Sequence, residues 1–300
     1  MKQKLYFIPL LAVPILMVLF GSFFDLQINI ALFNPQNGFG LTMAAIGEAP
    51  GYAAIALFGG GLFFLGIKKY HLWWQKALLI GIGLTALGIT LYFQSRHVIN
   101  ENAFNIEDKW WAYPFIGLPV GLILCGGAFV GGIFLAKNSD NPNVLKILIL
   151  IGAIALVSVL ITTVLKSLMH RIRYRYLERY LSMSDFQNWW QKGTIYDKEF
   201  AEEFKSFPSG HVTAGAIGIV ALTYIPLFKS DWNKNKFLQP LLILIGFIWT
   251  LVLAFSRMLV GAHFLSDVGF GFTITMFTFL VGNSIVFSSK KQKKVKVITE

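Results

Sequence analysis

Two histidines, three long basic side chains and a carboxylate stand at spacings that suit chemistry on a phosphate group. Lys166 and Arg173 are separated by six residues; Pro208-Ser209-Gly210-His211 follows; then come Ser256-Arg257, five residues, His263, three residues and Asp267. Phosphoryl transfer spreads negative charge over equatorial oxygens, so its catalysis is mostly positioning and electrostatic stabilisation. Lys166, Arg173 and Arg257 supply positive charge, and the arginine forks match phosphate geometry. Ser209 and Gly210 stand where a turn enters a helix, where a hydroxyl and N–H groups without intrahelical partners can face an anion. His263 and Asp267 are i,i+4 neighbours if the stretch is helical. The carboxylate can then hold one ring nitrogen as N–H and leave the other to attack phosphorus. His211 can protonate the departing oxygen and later activate water.

Singly, each residue has a plainer reading. Lys166 or Arg173 can snorkel from a helix end, Pro208-Ser209-Gly210 can be an ordinary turn, and Asp267 can cap a helix. Jointly, and in this order, they read as one anion site. His71, His97 and His170 have no such company and are read as incidental.

The elements that must carry these residues are membrane spans. Of 300 residues, 55% are hydrophobic and 14% charged, against about 25% charged in soluble domains. A span needs about 20 apolar residues, and backbone groups in lipid must bond within helices. The chain thus reads as an all-α integral membrane protein with eight spans: 5–24, 51–67, 77–94, 112–136, 147–165, 211–228, 237–255 and 267–287. The first is read as uncleaved. Gly127 and Gly131 form a small-xxx-small pattern in the fourth, which suggests close helix packing. The lone Cys125 excludes an intrachain disulfide and a cysteine metal site.

The net charge of +11 is scattered in short segments between spans, which speaks for orientation and lipid headgroups and against nucleic acid. With both termini cytoplasmic, the inside segments hold fifteen lysines against Asp140, Asp231 and Glu300, as the positive-inside rule requires. The basic tail 290–300 then anchors at the cytoplasmic face of a cell membrane, and all three blocks lie on the extracytoplasmic side. The exception is the long outer segment 166–210, rich in lysine and arginine, for which anion binding supplies a reason. Its aromatic residues fit an interfacial belt; a sharper alternative lays 174–190 on the bilayer surface to guide a lipid headgroup.

These blocks resemble the signature of the type 2 phosphatidic acid phosphatase (PAP2) superfamily, K-x6-R-P, P-S-G-H and S-R-x5-H-x3-D. The second and third match fully. The first matches at Lys166, Arg171 and Arg173, with Tyr174 where the family usually has proline and His170 where glycine is common. The resemblance implies a six-helix catalytic core over 77–289, preceded by two additional spans in 1–76. It implies His263 as nucleophile, Asp267 as its orienting partner and His211 as general acid, with Lys166, Arg173, Ser209, Gly210 and Arg257 around the phosphate. It also implies chemistry without metal or cofactor, in keeping with the lack of any metal-type cluster in the sequence.

The expected activity is a membrane phosphatase acting on a lipid phosphomonoester or diphosphate through a phosphohistidine, with phosphatidate, phosphatidylglycerol phosphate and a polyprenyl diphosphate as candidates. The alternatives are a soluble sugar phosphate as substrate, or transfer to a hydroxyl acceptor. A transporter fits less well, since ionisable groups there usually lie near the midplane.

Overall fold

The computed structural model describes residues 7–100 and 109–287. Lys2, Lys4 and the basic tail 290–300 lie outside the described residues. Helices carry the fold, with no strand among the described residues. Eight are long and apolar enough to cross a membrane: Ile8–Leu32, Gly38–Lys68, Trp73–Ile99, Tyr113–Lys137, Val144–Tyr180, Gly210–Phe228, Leu238–Leu259 and Leu265–Phe287.

The expected number of spans holds, but the first two differ in extent from the sequence reading, and the difference matters for the site. The first runs eight residues further, so Asp25 falls inside it. The second begins at Gly38 and is two helices, Gly38–Ile46 and Ala49–Lys68, broken at Gly47 and Glu48. Pro50 explains the break: it has no N–H to give to a preceding carbonyl and suits the first turn of a new helix. Gly51 N–H bonds Glu48 O at 2.9 Å, which leaves the Gly47 carbonyl to accept from the Trp249 indole at 3.0 Å.

The sixth span is the most enclosed and packs against the second, fifth, seventh and eighth. The first span lies along the eighth, and the Ala49–Lys68 helix touches the third, fourth, fifth and sixth. The two N-terminal spans therefore share one packed bundle with the helices that carry the motifs. The close approach of the second and fourth spans is made by Gly60, facing the Phe129 backbone, and Gly132, facing the Leu57 backbone. Gly127 and Gly131, the pair picked out from the sequence, have nothing within 4 Å of a would-be Cβ. A small-residue pattern tells that a face is smooth, not that a neighbour lies on it.

The segment that follows helix Val144–Met169 folds back on the bundle. Helix Val144–Met169 ends at His170, whose φ of 49° and ψ of 36° are left-handed, the conformation that closes many helices and that glycine adopts most readily. Residues 171–173 then run extended beside 203–206: Arg173 N–H bonds Glu203 O at 2.8 Å and Ser206 N–H bonds Arg171 O at 3.0 Å. Ile172, Tyr176, Leu177 and Phe204 close a small core of their own, and Trp189 bonds Ser22 at 2.9 Å and packs on Phe270. Segment 174–190 is thus packed over one end of the bundle, with helix at Tyr174–Tyr180 and a single tight turn at Met183–Asp185.

Tyr174 occupies the family's proline position without disturbing it. Arg173 is already extended, at φ −74° and ψ 145°, as a residue before proline would be, and Tyr174 opens helix Tyr174–Tyr180. Its buried ring meets Phe33 of the N-terminal region and Phe264 edge-on.

Candidate active site

The seventh span stops in a hydrogen-bonded cap that sets the spacing of the third block. Helix Leu238–Leu259 is closed by Gly261 at φ 64°. Gly261 N–H bonds Met258 O at 2.9 Å and Ala262 N–H bonds Arg257 O at 3.0 Å, the paired bonds of a Schellman motif. His263 N–H also reaches Arg257 O, at 3.3 Å. Arg257 and His263 are therefore tied together through one carbonyl, and five intervening residues are what the cap needs.

His263 lies just before helix Leu265–Phe287, so the expected helical i,i+4 pairing with Asp267 is not how the two are joined. The ring Nδ1 sits 2.6 Å from the carbonyl oxygen of Ser206 and 3.9 Å from Asp267 Oδ2. A carbonyl only accepts, so Nδ1 carries the proton and Nε2 keeps its lone pair. Asp267 acts one step back. Its Oδ2 accepts from Ser206 Oγ at 2.5 Å and Phe264 N–H at 2.9 Å, which fixes the segment that presents the Ser206 carbonyl. Its Oδ1 accepts from Arg171 at 2.5 Å.

Arg171, matched by the family pattern but given no role from the sequence, is 1% exposed. It bonds Asp267, Ser266 Oγ at 2.8 Å, Asp25 Oδ2 at 2.9 Å and the Gln187 carbonyl. Asp25 also binds both the N–H and the hydroxyl of Ser266. A carboxylate of the first span thus shares a buried cation with the aspartate of the third block. Such groups inside a span are rare and paired when they occur.

The second block opens the sixth span. Ser209 caps helix Gly210–Tyr224, its Oγ accepting from Val212 N–H at 3.4 Å. The Gly210 and His211 N–H groups have no acceptor within the helix. Lys166 approaches this end: a Cβ placed on Gly210 would lie 3.4 Å from Lys166 Cε, and the ammonium bonds Lys205 O at 2.8 Å. The His211 and His263 rings stand 6.0 Å apart, and the Nε2 atoms of both are buried without a protein partner.

Around the pair lie the three cations. Arg257 is buried and reaches Gly40 O of the second span at 3.5 Å. Arg173 is held beside Glu203, whose carboxylate also grips Arg175 through two bonds of 2.8 and 2.5 Å. Burial works to raise the Glu203 pKa, but the Arg175 hydrogen bonds and the charges of Arg173 and Arg175 hold it below the ordinary range. His263 is pushed well below its ordinary pKa, first by burial and then by the charges of Lys166, Arg173 and Arg257. A pKa held this way favours the neutral imidazole, with its Nε2 lone pair free.

Residues 146–291 match the family model described as the PAP2 superfamily. That match supports membership of the PAP2 superfamily over this segment. No curated protein and no solved structure matches it. PAP2 members are phosphatases, and the matched segment contains all eight residues singled out by the motifs. The structure brings Lys166, Arg173, Ser209, Gly210, His211, Arg257, His263 and Asp267 to one end of the bundle.

Residues that the motifs did not name also reach the site. Glu48, at the break in the second span, lies 3.3 Å from His211 Nδ1 through Oε1 and 3.3 Å from His97 Nε2 through Oε2. His97, read from the sequence as incidental, is the outer member of this trio. The ligand-type atoms of Glu48, His97 and His211 lie within 4.8 Å of one another, so a metal-type cluster that the sequence did not reveal exists in space. The signal for Glu48 and Asp25 was present as acids inside apolar stretches, once the span boundaries are drawn correctly.

Proposed function

We propose that this chain hydrolyses the phosphomonoester or diphosphate of a lipid through a phosphohistidine at His263. One observation carries the reading: two buried imidazoles stand 6.0 Å apart with Nε2 atoms that have no protein partner, and the charges of Lys166, Arg173 and Arg257 bear on His263. His263 Nε2 attacks phosphorus as the bond to the lipid oxygen breaks, and His211 gives that oxygen its proton. Water then attacks the phosphohistidine, His211 takes the water proton, and the P–N bond breaks to release phosphate. Every proton is returned within the cycle, and no step calls on a metal.

A lipid is favoured over a soluble sugar phosphate by the surroundings. An apolar groove of about 300 Å³ is lined by Ile46, Ala49, Val120, Ile123, Leu124 and Trp249. Ala49, one of its lining residues, directly follows Glu48 in the chain. Acyl or prenyl chains fit such a lining. The lysine distribution supports a site facing the extracytoplasmic side, where phosphatidate, phosphatidylglycerol phosphate and a polyprenyl diphosphate are candidate substrates.

The test is phosphate release from matched long-chain and water-soluble substrates, with His263→Ala, His211→Ala and a chelator as controls. Full activity in His263→Ala rejects the phosphohistidine. Preference for the soluble substrate rejects the lipid, a need for an added hydroxyl acceptor indicates a transferase, and loss on chelation rejects the metal-free course.

A further inference from the structure

The general-acid role proposed for His211 poses an electrostatic problem. To donate from Nε2 while keeping a proton on Nδ1, the ring must pass through its cationic form. The groups facing it are Arg257 of the seventh span, Arg173 of the outer segment, His97 of the third span and His263, with Lys166 close to Gly210. Apart from one carboxylate these are cations or imidazoles, and a low-dielectric site magnifies their opposition. The exception is Glu48, 3.3 Å from Nδ1.

Glu48 is itself held firmly. Its Oε2 accepts from the Tyr52 hydroxyl at 2.5 Å and faces His97 Nε2 at 3.3 Å. Its backbone is fixed by the helix break before Pro50. The side chain is buried, and an uncompensated carboxylate in such a place would be costly.

The geometry points to Glu48 as the positioning residue of His211: its carboxylate keeps the proton on Nδ1, aims Nε2 at the phosphate and supplies the counter-charge for the imidazolium. The second span, which lies outside the matched family segment, thereby completes the acid half of the site. This inference rests on the proposed phosphatase reading and adds to it a residue that touches no substrate atom.

The experiment separates acid catalysis from simple folding. kcat/KM reports the steps through formation of the phosphohistidine, and the proton from His211 matters only when the leaving oxygen is strongly basic. Glu48→Gln should lower kcat/KM about 100-fold on an alkyl phosphate, the low end of general-acid contributions, and only a few-fold on p-nitrophenyl phosphate. The alkaline limb of its pH profile should move to lower pH, because the charged ring is no longer supported. Glu48→Asp keeps the charge and should fall between the two, and it carries the test if Glu48→Gln does not accumulate as folded protein. Equal loss on both substrates, no loss, or an unmoved alkaline limb overturns the assignment. Retained activity in His263→Ala, measured alongside, brings down the phosphohistidine reading instead; an inert His263→Ala with uniform Glu48→Gln behaviour brings down only the role of Glu48.

Discussion

His263 takes its ring orientation from the carbonyl of Ser206, 2.6 Å from Nδ1, while the carboxylate of Asp267 stands 3.9 Å away. The two residues are joined through the Ser206 hydroxyl and the Phe264 N–H, both bonded to Asp267 Oδ2. Holding by a carbonyl fixes the tautomer as well as a carboxylate does, but it places less negative charge next to the ring.

Ser206→Ala and Asp267→Asn should therefore separate. Ser206→Ala keeps the carbonyl and loses one hydrogen bond, so kcat should fall no more than about tenfold, the equivalent of the ~1.4 kcal/mol that such a bond can contribute. Asp267→Asn leaves Arg171 short of a charge partner and turns an amide N–H toward donors. It should cost about 3–5 kcal/mol of stability, as breaking buried ion pairs does, along with most of the activity. Melting temperature and kcat measured together decide the matter, and equal effects of the two variants would contradict this arrangement.

The acid limb of kcat/KM should lie below the ordinary histidine value of about 6.5, because burial and then the charges of Lys166, Arg173 and Arg257 depress His263. The sign is fixed by mechanism: attack needs neutral Nε2, so a depressed pKa extends activity to lower pH. Lys166→Met removes one of the cations, raises the His263 pKa and should move the limb upward. Burial, the larger cause, remains, so the limb should stay below the ordinary value. A pH profile with an aryl phosphate of separately measured ionisation checks this; a limb that moves down, or not at all, refutes it.

How much of the site could be read in advance follows from how each part is held. The three blocks were legible because local backbone devices enforce their spacing, the Schellman cap at Gly261 between Arg257 and His263 being the plainest. Asp25 and Glu48 were not, since their partners are remote; Arg171 is 146 residues from Asp25. The span boundaries compounded the loss. Ending the first span at 24 and starting the second at 51 put both acids in loops, where a carboxylate is unremarkable, whereas inside a span it asks for a partner. His97 was passed over for the same reason, its partner being Glu48. The glycine pattern at Gly127 and Gly131 was visible, but which helix face meets a neighbour is decided by the whole bundle.

His170 offers a backbone test. At φ 49° a non-glycine residue carries a cost of about 1–2 kcal/mol, offset in part by its ring contact with Tyr196 at 5.2 Å. His170→Gly, the residue common in the family, should leave stability within about 1 kcal/mol, since relief of strain is balanced by the lost contact and by chain entropy. His170→Val should be clearly worse, because branching at Cβ is poorly tolerated in this region. Thermal melts in detergent give the order, and a tolerated valine would show that the helix end is not held in this conformation.

Arg171 links the first span to the site, and the charge count around it gives a non-additive prediction. One cation, 1% exposed, faces Asp25 and Asp267. Arg171→Met leaves two buried carboxylates without their shared partner and should cost at least the ~3–5 kcal/mol of a broken buried pair. Adding Asp25→Asn removes one of the stranded charges and restores the original net charge of the cluster. The double variant should therefore be more stable than Arg171→Met alone, although each single change is destabilising. A double-mutant cycle on melting temperature measures the coupling. Simple additivity of the two losses would mean that Asp25 and Arg171 do not share their charge, and that the first span is joined to the site by packing alone.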